Sequence, residues 1–116
     1  MESLLRDSDG FCVAQQVVCA HGFISRAVGL LGRTGLPGNF TLWLKPCRAV
    51  HTWGMRFPID VIFVDRDLRI TRIAVHLPPW RFANGGNKAD SAFEFSADTP
   101  AVSHLMVGDV LTLHRT

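Results

Sequence analysis

A chain of 116 residues holds enough material for one hydrophobic core and too little for two of ordinary size. With 47% hydrophobic and 19% charged residues, its composition is globular, neither disordered nor membrane-spanning. The net charge of +2 comes from basic and acidic residues scattered along the whole length; with no run of Lys or Arg to follow a phosphate backbone, nucleic acid is excluded as the expected partner. The reading is one domain over residues 1–116, with residues 1–9 as a flexible N-terminal segment. That segment lacks the apolar core and small-residue cleavage site of a secretion signal. No apolar run approaches membrane-spanning length, so no membrane partner is expected.

Residues 11–20, entered through Gly10 and rich in Val, read as a first strand. Cys12 and Cys19 lie on it too far apart to bridge. With Cys47 they make an odd set of three, which fits reduced thiols and a cytoplasmic location. In residues 23–31 the apolar positions Phe23, Ile24, Ala27, Val28 and Leu31 recur at helical spacing. Ser25 stands near the start as a cap and Gly32 is placed to end the turn. Residues 34–39 carry turn chemistry, and residues 40–44 alternate as a strand until Pro46. Residues 59–64 and 69–77 read as a β-hairpin joined by Asp65, Arg66, Asp67 and Leu68. Residues 83–88 are expected to be a flexible polar loop, residues 92–95 and 110–114 the last strands, and residues 101–106 one helical turn. Short strands separated by turn signals predict a mainly β chain, either a sandwich or a partly closed barrel with one short helix.

The richest stretch is residues 47–65, where reactive and polar side chains crowd against an apolar strand. A period of two puts Asp60 on the same face as Ile62 and Val64, beside the core. A carboxylate there needs partners, and His51, Arg56, Arg81 or the amides of the preceding loop are the candidates. Its plain role is a structural anchor tying residues 52–58 to the strand. His51 is the side chain best able to move a proton near neutral pH, with Thr52 and Trp53 beside it. An enzymatic reading makes His51 the base and Asp60 its orienting carboxylate. A histidine beside an apolar strand is more often a satisfied hydrogen-bonding residue, and no recognised motif ties a Ser or Cys to it.

Cys47, His51 and Met55 fall four residues apart, a soft-ligand spacing to which His21 or His76 would add a second histidine. Three evenly spaced residues are a weak signal, and neither C-x-x-C nor H-E-x-x-H occurs, so no metal or cofactor is expected. Trp53 and Trp80, with Arg56 and Arg81, form the candidate surface for a sugar ring, a carboxylate or a peptide. The indoles serve equally well as apolar caps on the open end of a sandwich. Gly108 and Asp109 are most simply a turn.

These same residues carry a resemblance. Gly29-Leu30-Leu31-Gly32-Arg33, Pro46-Cys47, the run from Val50 through His51-Thr52-Trp53-Gly54-Met55-Arg56-Phe57-Pro58 to Asp65, Pro79-Trp80-Arg81 and Gly108-Asp109 resemble the DUF192 family, also called UPF0127, of unknown function. The resemblance spans nearly the whole chain and its central motif is long. It implies a compact, mainly β domain with a jelly-roll-like sandwich and a short helix, and no settled reaction or cofactor. Two departures stand out. Leu68 replaces the family's glycine after Asp65, which predicts a hairpin turn of another type. Phe93-Glu94-Phe95-Ser96-Ala97-Asp98 replaces a Leu-Glu-Leu run that ends in a small residue and glycine; Glu94 still matches.

Three functional readings follow. The favoured one is a non-enzymatic module binding a small molecule or peptide in a cleft formed by His51, Thr52, Trp53, Met55, Arg56 and Asp60 with Trp80 and Arg81. The second is a hydrolase-type enzyme using His51 and Asp60. The third is a protein-interaction domain in which the motif is structural. A monomer is expected.

Overall fold

The structure is a computed structural model that describes residues 2–21 and 40–115, the side chains of residues 20 and 21 excepted. The expected helix at 23–31 and turn at 34–39 lie outside the described residues. Within them the strands are β1 (Glu2–Arg6), β2 (Cys12–Ala14), β3 (Gln16–His21), β4 (Phe40–Lys45), β5 (Ala49–His51), β6 (Ile59–Val64), β7 (Ile70–Leu77), β8 (Phe82–Asn84), β9 (Ser91–Ser96) and β10 (Leu111–Arg115). A 3-10 turn, η1 (Pro100–His104), precedes β10. The chain is therefore mainly β, its sheets stacked in the manner of a sandwich, with no barrel closing among the described residues.

The central sheet runs β3-β4-β9-β6-β7, parallel between β3 and β4 and antiparallel elsewhere. Both its faces are covered. Ile62, Val64, Phe93 and Phe95 pack on one side with Leu4, Val13 and Leu111 of the sheet β10-β1-β2, and with Val102 of η1. Val61, Phe63, Leu42 and Ala92 pack on the other side with Val50 and Ala83 of the two-stranded ribbon β5-β8. This double cover explains why all six residues of β6 are buried, as a strand sandwiched between two layers requires.

The hairpin β6-β7 forms as the sequence predicts, and the turn keeps a left-handed position at Leu68, with φ of 62°. The expectation of a different turn type is thus corrected. Asp65 accepts hydrogen bonds at Oδ1 from the amides of Asp67 and Arg69, and the Leu68 side chain packs on the core formed with the sheet β10-β1-β2, which together offset the backbone cost of roughly 1–2 kcal/mol. The exit from β9 uses Asp98 at φ 59°.

Three other expectations change. Residues 1–9 are not a loose segment: β1 is the middle strand of its sheet, and Leu4, fully buried, anchors it. Residues 11–20 are two strands that part at Gln15 into different sheets, so Cys12 and Cys19 do not share a strand. Residues 83–88 are only partly a loop, because β8 pairs Phe82, Ala83 and Asn84 with His51, Val50 and Ala49. Gly85 follows directly, buried, and a Cβ there would stand 2.5 Å from Cγ of Phe63, which no side chain tolerates. No helix among the described residues is long and apolar enough to cross a membrane.

Candidate functional site

In the ribbon β5-β8, Val50 and Ala83 point inward, and alternation turns their neighbours outward. His51 and Phe82 are direct cross-strand partners and so share the outer face. The His51 ring lies against Trp53, with centroids 4.9 Å apart and planes tilted by 37°. Trp53, Trp80 and Phe82 are 57%, 65% and 63% exposed, large apolar surfaces left to solvent among the described residues.

Thr52 fixes this face. It is fully buried, and its carbonyl accepts from the amides of Met55 (3.2 Å) and Trp80 (3.0 Å). Its hydroxyl donates to the carbonyl of Pro78 (2.6 Å) and accepts from the amide of Arg81 (2.9 Å). One threonine thereby laces the loop carrying Trp53 to the loop carrying Trp80, and Trp80 is held at φ 64°, a conformation a large residue seldom adopts. Arg56 and Arg81 are exposed, and among the described residues neither guanidinium has an ion pair or side-chain hydrogen bond.

Asp60 and Met55 sit apart from this face. Asp60 is buried on the opposite side of the central sheet, beside Ile62 and Val64, as its register predicts. Its partners are backbone amides: His76 donates to Oδ1 at 2.7 Å and Thr99 to Oδ2 at 3.1 Å. None of His51, Arg56 and Arg81 holds it. Asp60 is an anchor, tying β7 and the start of η1 to β6 in place of the loop at 52–58. Met55 is buried in the core beneath the ribbon. Cys47 packs against that same core and donates its thiol hydrogen to the carbonyl of Ala49 at 3.1 Å. Burial, with a smaller contribution from the nearby Glu94, pushes the Cys47 thiol up to about 11, so it stays protonated and inert. Among the described residues no three His, Cys, Asp or Glu side chains stand close enough to share a metal ion.

Two features escaped the sequence reading. Phe82 joins the aromatic face through pairing with a strand 31 positions upstream, which no local pattern records. Glu94, in β9, alternates with Phe93 and Phe95 and so faces the core of Ala92, Leu42 and Val61. It is 2% exposed, and burial raises its carboxyl to about 7. Oε2 of Glu94 and Nδ1 of His51 are buried with no hydrogen-bond partner among the described residues.

The sequence profile of DUF192, a family described as "Uncharacterized ACR", matches residues 5–113. The chain belongs to the DUF192 family. Its fold is similar to a protein of unknown function from Novosphingobium aromaticivorans DSM 12444, at 20% identity and a TM-score of 0.75, covering 96% of this chain and 82% of that one. It is equally similar to a putative transcription regulator from Sinorhizobium meliloti 1021, at 19% identity and a TM-score of 0.75, covering 96% and 90%. At those identities the likeness concerns the fold of this DUF192 chain alone. No curated protein sequence matches it.

Proposed function

We propose that the chain is a non-enzymatic binding module whose binding surface is the outer face of the β5-β8 ribbon, and that its ligand joins a flat apolar face to a carboxylate. The observation that carries this reading is the exposure of Trp53, Trp80 and Phe82 around His51, on loops that Thr52 locks together. Exposed aromatic rings held rigid bind with little loss of side-chain entropy. The guanidiniums of Arg56 and Arg81, unpaired among the described residues, supply the complementary charge, in the fork geometry that suits a carboxylate. Charge therefore favours an acidic sugar or a peptide with a free C-terminus over a neutral or cationic ligand.

Tryptophan fluorescence and amide shifts, followed during titration with oligogalacturonate and with short peptides ending in a free carboxylate, test the reading. Saturable shifts at Trp53 and Trp80 are expected with one class, weakened about tenfold by Arg81→Ala and more by Trp80→Ala. Saturation without product formation supports a binding module. Turnover of either probe, or shifts that leave the ribbon untouched, overturns it.

A further inference from the structure

Glu94, on the side of the central sheet that the β5-β8 ribbon covers, is a buried titratable side chain with an oxygen left without a partner among the described residues. A buried polar atom in that state calls for a physical reason. The layer above it supplies one. The β5-β8 ribbon belongs to neither of the other sheets, and its hold on the central sheet is mainly side-chain packing through Val50 and Ala83, with Met55 beside them. At its margins it is fastened by a few single bonds, from the Cys47 amide to the carbonyl of Asp90, from the Thr52 hydroxyl to the carbonyl of Pro78 just after β7, and from Arg72 Nη1 to the carbonyl of Asn84. An apolar contact of this kind is stable over a neutral carboxyl and unstable over a charged one.

We propose that Glu94 is a proton-operated latch for the β5-β8 ribbon: protonated, it lets the ribbon close on the central sheet; ionised, it draws water into that contact and the ribbon lifts. The groups facing Glu94 from the elements packed on it favour this. β4 and β6 present Leu42, Leu44 and Val61, the ribbon presents Val50, and the segment after it presents Met55, none of which titrates. Among the described residues the titratable neighbour is Cys47, whose thiol stays neutral across the relevant range and offers no counter-charge. Ionised Glu94 thus gains nothing by staying buried, and opening the contact is its route to hydration. Its raised affinity for a proton places the change near neutrality. On the binding reading above, the aromatic face rides on the ribbon's outer side, so ligand affinity falls as the latch opens.

Amide hydrogen exchange at pH 5 and pH 7.5, corrected for intrinsic rates and recorded without ligand, tests the latch. Protection of the β5 and β8 amides is expected to fall by about tenfold or more in the wild type, while β6 and β9 keep theirs, since opening gains up to tenfold per pH unit between the two proton affinities. In Glu94→Gln the fall disappears. Equal loss in Glu94→Gln, or none in the wild type, overturns the proposal. If Glu94→Gln does not fold, the carboxyl carbon shift of wild-type Glu94 decides: a midpoint near neutrality shared with the ribbon amides supports the latch, and one in the ordinary carboxylate range overturns it. Because no ligand is present, failure of the binding reading leaves this result unaffected.

Discussion

Thr52 and Arg81 exchange two hydrogen bonds: the Thr52 amide donates to the Arg81 carbonyl at 2.9 Å and the Arg81 amide donates to the Thr52 hydroxyl at 2.9 Å, while the hydroxyl's own hydrogen goes to the Pro78 carbonyl at 2.6 Å. Thr52→Val keeps the shape of the side chain and deletes the hydroxyl, leaving the Pro78 carbonyl and the Arg81 amide short of a partner. The expected cost is about 2 kcal/mol in urea unfolding, with Thr52→Ser losing less than about 1.

Asp60→Asn replaces one accepting oxygen by an amide that must face a backbone N–H, either that of His76 or that of Thr99. A loss of about 3 kcal/mol is expected, with the slope of the denaturant curve unchanged because the fold itself persists. A change under about 1 kcal/mol would show that the carboxylate is not the tie between β6, β7 and η1.

His51→Ala should leave stability within about 1 kcal/mol of wild type. The ring loses its contact with Trp53, but its buried Nδ1 satisfies no hydrogen bond among the described residues, so the two effects oppose one another. Circular dichroism in urea checks this, and a loss above about 2 kcal/mol would make His51 part of the scaffold.

The sequence disclosed the strands whose pattern is local and continuous. Residues 59–64 matched β6 because six apolar-rich positions sit between clear turn signals, and the register of Asp60 followed from the same run. What stayed hidden was pairing at a distance. A three-residue strand such as β5 has no period to read, and its partner β8 lies beyond the whole β6-β7 hairpin. The burial of Glu94 was hidden for a related reason, since Phe93-Glu94-Phe95 looks like a strand with one wet face until a second layer covers that face. The change of sheet at Gln15 broke a stretch whose composition does not change there.

Stability should decline with rising pH through the range set by Glu94. Its carboxyl ordinarily titrates at 4.5 and does so at about 7 when folded. Between those values the unfolded chain has released the proton that the folded chain retains, so each step up in pH favours unfolding, and above about 7 the effect is complete. The total is on the order of 3 kcal/mol. Other carboxylates act in the opposite sense, so the measurement is the difference between wild type and Glu94→Gln in urea unfolding from pH 4 to pH 8; a flat difference would falsify the assignment.

Thiol titration with a disulfide reagent at pH 8 should resolve two classes. Cys12 and Cys19 are exposed, whereas Cys47 is partly buried with its thiol held near 11. Cys47 is expected to react about a hundredfold more slowly than an ordinary thiol, and to join the fast class in denaturant.

Gly85 bears on all of this in a mechanical way. The place where a side chain would begin is already taken by Phe63 and Ala89, at 2.5 and 2.6 Å. The gap between ribbon and central sheet is therefore gauged by a missing methyl group, and an alanine at position 85 would act as a shim, prising up the end of β8 whatever the pH.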